Sequence, residues 1–310
     1  MESRPLIIGS RSSKLALAQA QFVKDKLKAF YPGLHLEIKT IKTTGDKILD
    51  TALTKIGDKG LFTKEIEEAL LKGEIDLAVH SMKDLPTELP QELRIAAVTE
   101  RKNPCDVLIS KQGFTIKTLP GDSKVGTSSL RRRAQLLHIR PDLEVLDLRG
   151  NLDTRVKKLE QGLYDAIMLA YAGIIRLGFK LNLSVISTDD ILPQAGQGAL
   201  GIETCRDSQE VDNLVKALDD ADCHLSIDAE RAVLAGLEGG CQVPIGVYAQ
   251  VTGNQVSIKA GVFSLDGKIT VRDEITGFKK DAETLGAQLA KTILKKGVQQ
   301  ILDEVKRGVR

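Results

Sequence analysis

Short apolar runs alternate with stretches of helical period through most of this chain, and that alternation confines it to an α/β architecture. Leu6-Ile7-Ile8-Gly9 is the first such run, and Ser12-Ser13 can cap a helix that carries Leu15, Leu17, Ala18, Phe22, Val23 and Leu27. Apolar and polar residues then alternate from Leu34 to Ile41, as on a half-buried strand. Phe62 to Leu71 predicts a helix with Ile66, Ala69 and Leu70 on one face, and Ile75 to Val79 predicts a buried strand. The polar run Glu100-Arg101-Lys102-Asn103-Pro104 marks a boundary, after which the alternation resumes. Lys124-Val125-Gly126 leads into Thr127-Ser128-Ser129 and a helix burying Leu130, Ala134 and Leu137. A strand over Val145 to Leu148, a helix from Asp153 to Leu163 and a strand over Ala166 to Ala170 follow. Units in this order build a mainly parallel sheet.

From about Asp222 the pattern changes. A helix over Ile227 to Leu237 precedes Glu238-Gly239-Gly240-Cys241. Three strands with turns at Gly253-Asn254 and Asp266-Gly267 read as an antiparallel meander, and an amphipathic helix covers Ala282 to Val305. This is a small α+β domain. The segment from Lys42 to Gly60 is glycine-punctuated, charged and weakly periodic, so it is either a solvated loop or a mobile lid over a site.

Charge excludes one class of function. Lys and Arg exceed Asp and Glu by a net charge of only +2, aromatics are 4% and tryptophan is absent, so neither a basic footprint nor stacking residues favour a nucleic-acid binder. The N-terminus shows no basic region followed by an apolar core, and the longest apolar stretch, Ala166 to Ile175, is too short to span a bilayer. A cytoplasmic chain without a membrane partner is expected. The four cysteines lack CxxC spacing and the histidines lack an HxxxH pair, so neither a disulfide framework nor a metal site is expected.

Several motifs carry chemistry. Gly196-Gln197-Gly198-Ala199-Leu200-Gly201 fits the GxGxxG spelling but precedes a strand-like run instead of a helix, which favours a crossover between domains over a nucleotide site. Arg131-Arg132-Arg133 follow the hydroxyls of Thr127, Ser128 and Ser129 at a helix start. Such a run is ordinarily a solvated face. A helix N-terminus with hydroxyl caps instead attracts anions, and the 100° fan would then let two arginines reach a ligand while one faces solvent. Arg149 and Arg155 flank the junction after the Val145 strand, and Arg11 and Ser13 follow the first strand. Arginines at several carboxyl ends of strands point to a small ligand bearing several carboxylates or phosphates. Asp84, in His80-Ser81-Met82-Lys83-Asp84-Leu85-Pro86, is either a turn cap or an acid/base group. Cys241 is either an inert buried thiol or an accessible one.

Together these residues resemble the porphobilinogen deaminase family. The matching segments are Gly9 to Ala16, Gly60 to Glu65, His80 to Pro86, Gly126 to Arg132, Leu148 to Arg155 and Gly240 to Gly246, in the family's order and across nearly the whole chain. The resemblance implies two lobes like those of a type II periplasmic binding protein plus a small α+β C-terminal domain. Residues 1–99 and 200–218 would form the first lobe, 105–193 the second and 222–310 the third domain.

It further implies a transferase with hydroxymethylbilane synthase activity, acting in tetrapyrrole (heme) biosynthesis. Cys241 would hold a dipyrromethane cofactor through a thioether, and porphobilinogen would be both the substrate and the unit of the growing pyrrole chain. Each porphobilinogen loses ammonia, and the resulting azafulvene is attacked by the terminal pyrrole; hydrolysis finally releases four rings. Asp84 would stabilise the positive charge. Lys83, Asp84, Thr127, Ser128, Ser129, Arg131 and Arg132 would bind the cofactor, whereas Arg11, Ser13, Arg149, Arg155 and Arg176 would meet substrate. A monomer passing its product to uroporphyrinogen-III synthase is the expected state. The alternative is a two-lobed binding module for an anionic metabolite, without chemistry.

Overall fold

The isoleucines of β1 (Leu6–Arg11) make a strand because β-branched side chains fit a pleated surface, and Ile8 lies fully inside. The structure, a computed structural model, describes residues 4–47, 62–237 and 243–308. After β1, α1 (Lys14–Phe30) opens at Ser13, whose hydroxyl accepts a hydrogen bond from the Ala16 amide at 3.3 Å. Ala16, Ala20, Val23 and Leu27 repeat at helical spacing and form its buried stripe. The strand β2 (Leu36–Ile41) lies parallel to β1, and the short α2 (Thr44–Lys47) follows. Next come α3 (Lys64–Leu71), β3 (Leu77–Ser81) and β4 (Leu93–Val98).

The chain then crosses to a second sheet. Its elements are β5 (Asp106–Ser110), β6 (Lys124–Gly126), α4 (Leu130–Ile139), β7 (Glu144–Leu146), α5 (Leu152–Glu160), β8 (Ala166–Ala170), α6 (Tyr171–Leu177) and β9 (Leu183–Val185). It returns as β10 (Leu200–Cys205) and α7 (Gln209–Val215). The strand orders are β2-β1-β3-β10-β4 and β7-β6-β8-β5-β9. Each sheet therefore has one reversed strand, and it is the first strand laid down after a crossing: β10 is antiparallel to β3 and β4, and β5 to β8 and β9. The remaining strands of each sheet run one way, as expected of a mainly parallel sheet. These are the two lobes that the type II resemblance implies.

The C-terminal part is α8 (Ala221–Gly236), the meander β11 (Ile245–Thr252), β12 (Gln255–Phe263) and β13 (Thr270–Phe278), then α9 (Ala282–Lys295) and α10 (Gln299–Gly308). Two helical expectations need correction. The helix expected from Ile227 starts at Ala221, because Asp220 caps it by accepting from the Cys223 amide at 2.8 Å. The single last helix is two, broken where Gly297 takes a φ of 83° that ends a right-handed helix. Ala229 and Val233 of α8, Leu237 just past its end, and Leu289, Ala290 and Ile293 of α9 bury against Val247, Ile258 and Val262 of the meander.

Both crossings are fastened to this C-terminal part. Arg101, in the first crossing, donates from Nε to Gln197 O in the return crossing (2.9 Å), and its Nη1 and Nη2 meet the fully buried Glu230 of α8 at 2.6 and 3.2 Å. The glycine spacing of the return crossing serves close approach. A Cβ on Gly196 (φ 77°) would stand 2.8 Å from the Met82 backbone, and one on Gly198 (φ 97°) would meet Lys102 O at 2.4 Å. The GxGxxG spelling is thus a packing device beside Met82–Lys83, and β10 rather than a helix follows it.

Candidate active site

The charged residues follow strands of both sheets, and those whose charges meet are Lys83, Asp84, Asp106, Arg131, Arg132 and Arg155. β1 delivers Arg11, whose guanidinium lies 4.1 Å from the Phe62 ring centroid. β3 runs into a 3₁₀ turn, Met82–Asp84, with Lys83 half-buried and Asp84 exposed. β6 ends at Thr127, Ser128 and Ser129, β7 leads to Arg149 and β8 leads through α6 to Arg176. Arg155 lies in the first turns of α5.

The hydroxyls that end these strands also bond the backbone. Ser13 caps α1 and Ser129 caps α4, accepting from the Arg132 amide at 3.4 Å. The Ser128 hydroxyl donates to Leu148 O at 2.9 Å and accepts from Leu148 N at 3.0 Å, pinning the ends of β6 and β7 together. Thr127 is buried and its oxygen accepts from the Ser129 amide at 3.3 Å. These groups shape the edge through backbone contacts.

Arg131 and Arg132 are also more deeply engaged than a fan of arginines suggests. Their relative exposures are 3% and 6%, and both grip Asp106, which is fully buried. Arg131 Nη1 donates to Asp106 Oδ2 at 2.7 Å, while Arg132 reaches Oδ1 from Nε at 3.0 Å and Nη2 at 2.8 Å. Burial alone would raise the Asp106 carboxyl, yet the two guanidiniums hold it well below the carboxylate range. Asp106 was invisible as a site residue in the sequence, where it only heads an apolar run; the missing signal is that two buried adjacent arginines require a carboxylate.

The rest of the neighbourhood is cationic. Burial pushes Lys83 down to about 8, with Asp84 opposing that shift and Arg132 and Arg131 adding to it. Arg155 is lowered to about 10 by burial and by Arg132, again opposed by Asp84. Burial lowers Arg176 to about 10 as well. Arg155 Nε donates to Gly150 O at 2.7 Å and Arg176 Nη2 to Gly198 O at 2.7 Å; among the described residues neither has a carboxylate within ion-pair distance. Arg149 stands 3.6 Å from Asp147 in a half-exposed pair. Among the described residues the buried Arg131 Nε has no hydrogen-bond partner. An excess of desolvated cations over Asp84 and Asp106, with an unspent donor among them, fits a ligand carrying several carboxylates.

Comparison with known proteins points the same way. Residues 6–213 match the family model described as porphobilinogen deaminase, dipyromethane cofactor binding domain, and residues 224–295 match the model of its C-terminal domain. The chain belongs to the porphobilinogen deaminase family. The porphobilinogen deaminase of Chloroherpeton thalassium is 52% identical over 309 residues, covering 98% of each chain, and that of Carboxydothermus hydrogenoformans is 50% identical with the same coverage. Among solved structures, a probable amino-acid ABC transporter extracellular-binding protein of Bacillus subtilis covers 70% of this chain and 91% of its own at 13% identity and a TM-score of 0.40. The cofactor of the family is a dipyrromethane, and the polycarboxylate-fitting cluster lies within the matched cofactor-binding region. Cys241 and most of the Lys42 to Gly60 segment lie outside the described residues.

Lys83 gives this site a pH limit. Its amine is charged below about 8 and neutral above. The attraction it offers a carboxylate is therefore present at neutral pH and lost as pH rises. Turnover at saturating porphobilinogen is expected to fall severalfold between about pH 7 and 9 as the neutral amine stops holding a cofactor carboxylate, and Lys83→Arg, charged throughout that range, should flatten the fall. An unchanged alkaline limb in that variant would assign the titration to another group.

Proposed function

We propose that this chain is a porphobilinogen deaminase in activity as well as family: a transferase that condenses four porphobilinogen molecules head to tail, releases one ammonia for each, and frees hydroxymethylbilane by hydrolysis. The observation that carries this reading is the cluster of buried Arg131 and Arg132 with half-buried Lys83 and Arg155, and the exposed carboxylate of Asp84 beside it. Cys241 is assigned as the attachment point of the dipyrromethane, and Lys83, Ser129, Arg131 and Arg132 as the residues that would hold it. When bound, this cofactor supplies the pyrrole carbon to which new rings are joined.

The chain's own residues then do three things. Arginines bind ring carboxylates: Arg11, Arg149, Arg155 and Arg176 are assigned to substrate and the lengthening chain, whose acetate and propionate groups accumulate charge with each ring. Asp84 accepts pyrrole N–H bonds and stabilises the positive charge that develops as ammonia leaves. Lys83 holds a carboxylate beside it while charged. Thr127 and Ser128 are assigned with Ser129 to the cofactor and Ser13 to substrate, and their hydrogen bonds also shape the backbone around these groups.

The domain limits 1–99 with 200–218, 105–193 and 222–310 are supported by the membership of the three sheets. No described helix is long and apolar enough to cross a membrane. A cytoplasmic monomer that hands its product to uroporphyrinogen-III synthase is the arrangement we assign. The binding-module alternative rests on likeness of fold alone.

Whole-protein mass spectrometry tests the central claim. Freshly purified protein should carry a covalent addition equal to two porphobilinogen units, and Cys241→Ser should lack both that addition and activity. An unmodified mass in active protein overturns the reading.

A further inference from the structure

We infer that Asp106 is the positioning residue of the cofactor site, an internal carboxylate that sets Arg131 and Arg132 before any cofactor binds; this rests on the porphobilinogen deaminase reading above. Asp106 heads β5, the first strand after the chain crosses between lobes. Its Oδ2 accepts from Arg131 Nη1, and its Oδ1 accepts from Arg132 Nε and Nη2 and from Gln197 Nε2 at 2.9 Å. Gln197 belongs to the return crossing and also donates to Pro104 O at 2.7 Å. One buried charge thus ties both crossings to the arginine pair.

The two arginines are not spent equally. Arg132 is clamped in its plane by Asp106, by Met168 O at 3.3 Å and by Gln197 Oε1 at 3.5 Å. Among the described residues Arg131 donates from Nη1, to Asp106 and to Leu192 O at 2.7 Å, and its buried Nε meets no acceptor. Asp106 therefore fixes the pair while leaving Arg131 a donor aimed by the same contact. Burial and the neighbouring Arg132 both lower Arg131, so the two cations oppose each other wherever no anion intervenes. In unloaded protein Asp106 is their shared counter-charge. In loaded protein the cofactor's carboxylates supply more. The cost of removing Asp106 should consequently depend on loading, which a purely structural carboxylate would not show.

Asp106→Asn keeps the shape and removes the charge, and Asp106→Glu keeps the charge. Each is made in the otherwise unaltered chain and with Cys241→Ser, with the whole-protein mass giving the loaded fraction before thermal unfolding. Asp106→Asn should lower the midpoint of the Cys241→Ser protein by about 5 °C or more, and that of loaded protein by no more than half as much. A folded Asp106→Asn chain that stays unloaded supports the inference equally, since its arginines are not set. Asp106→Glu should load and recover part of the midpoint. Equal losses in loaded and unloaded protein, or an Asp106→Glu chain that neither loads nor recovers, overturn the assignment of Asp106. A parent chain without the two-ring mass overturns the cofactor reading instead.

Discussion

Replacing Asp84 with asparagine is expected to leave the protein folded and loaded while lowering kcat by about 10³-fold. Asp84 is exposed at the end of the 3₁₀ turn, where the backbone is held by Leu85 N donating to Met82 O at 3.3 Å and not by the side chain. Asparagine keeps the size and one acceptor oxygen, so a pyrrole N–H can still be bound. It cannot offset a positive charge. Ground-state binding needs only the acceptor, whereas the departure of ammonia builds a full charge on the ring, so the loss should fall on kcat with KM changed little. Asp84 also opposes the downward shift of Lys83, so its removal should move the alkaline limb to lower pH. Steady-state kinetics beside the protein's mass and thermal midpoint read these effects separately. A kcat within tenfold of the parent would place the charge-stabilising group elsewhere.

What was legible in the sequence was local. The caps at Ser13 and Ser129, the buried stripe of α1 and the meander turns at Gly253 and Gly267 depend on neighbours a few residues away, and spacing reveals them. The arginines at strand ends were legible for the same reason, since a βα junction announces itself. The reversed strands β5 and β10 were not, because their direction is set by partners laid down far away in the chain. The Ser128 bond to Leu148 was not legible either, because that partner lies across a strand pair. Asp106 and Glu230 look like ordinary surface acids in a line of letters. Each is fully buried, and each exists to answer a distant arginine. Buried charge is the part of a site least visible in sequence, since only folding shows which opposite charge it meets.

Glu230 shows how much rests on such a pair. Besides Arg101, it accepts from the Gly196 amide at 2.7 Å and the Ala249 amide at 2.8 Å, so one carboxylate joins α8, the return crossing and β11. Burial alone would lower Arg101, and Glu230 more than offsets this, leaving it raised. Truncation to alanine strands that cation in a nearly water-free place and orphans two backbone donors. Breaking a buried pair costs about 3–5 kcal/mol, and each unsatisfied buried amide about 1–3 kcal/mol before relaxation. These losses share one site and will not add fully, so Glu230→Ala should lose about 5 kcal/mol, a fall of about 8 °C in Tm. Glu230→Gln retains an acceptor for the amides and should lose about half as much. The damage should also reach the chemistry, because Gly196 packs directly on the Met82–Lys83 backbone and Gln194 Nε2 donates to Lys83 O at 3.0 Å. At a temperature where Glu230→Ala is still folded, its KM should rise while the two-ring mass persists. Denaturant unfolding at fixed pH measures the first effect and kinetics the second. A Tm within about 2 °C of the parent would mean that water enters to solvate Arg101 and that the junction is softer than its hydrogen bonds imply.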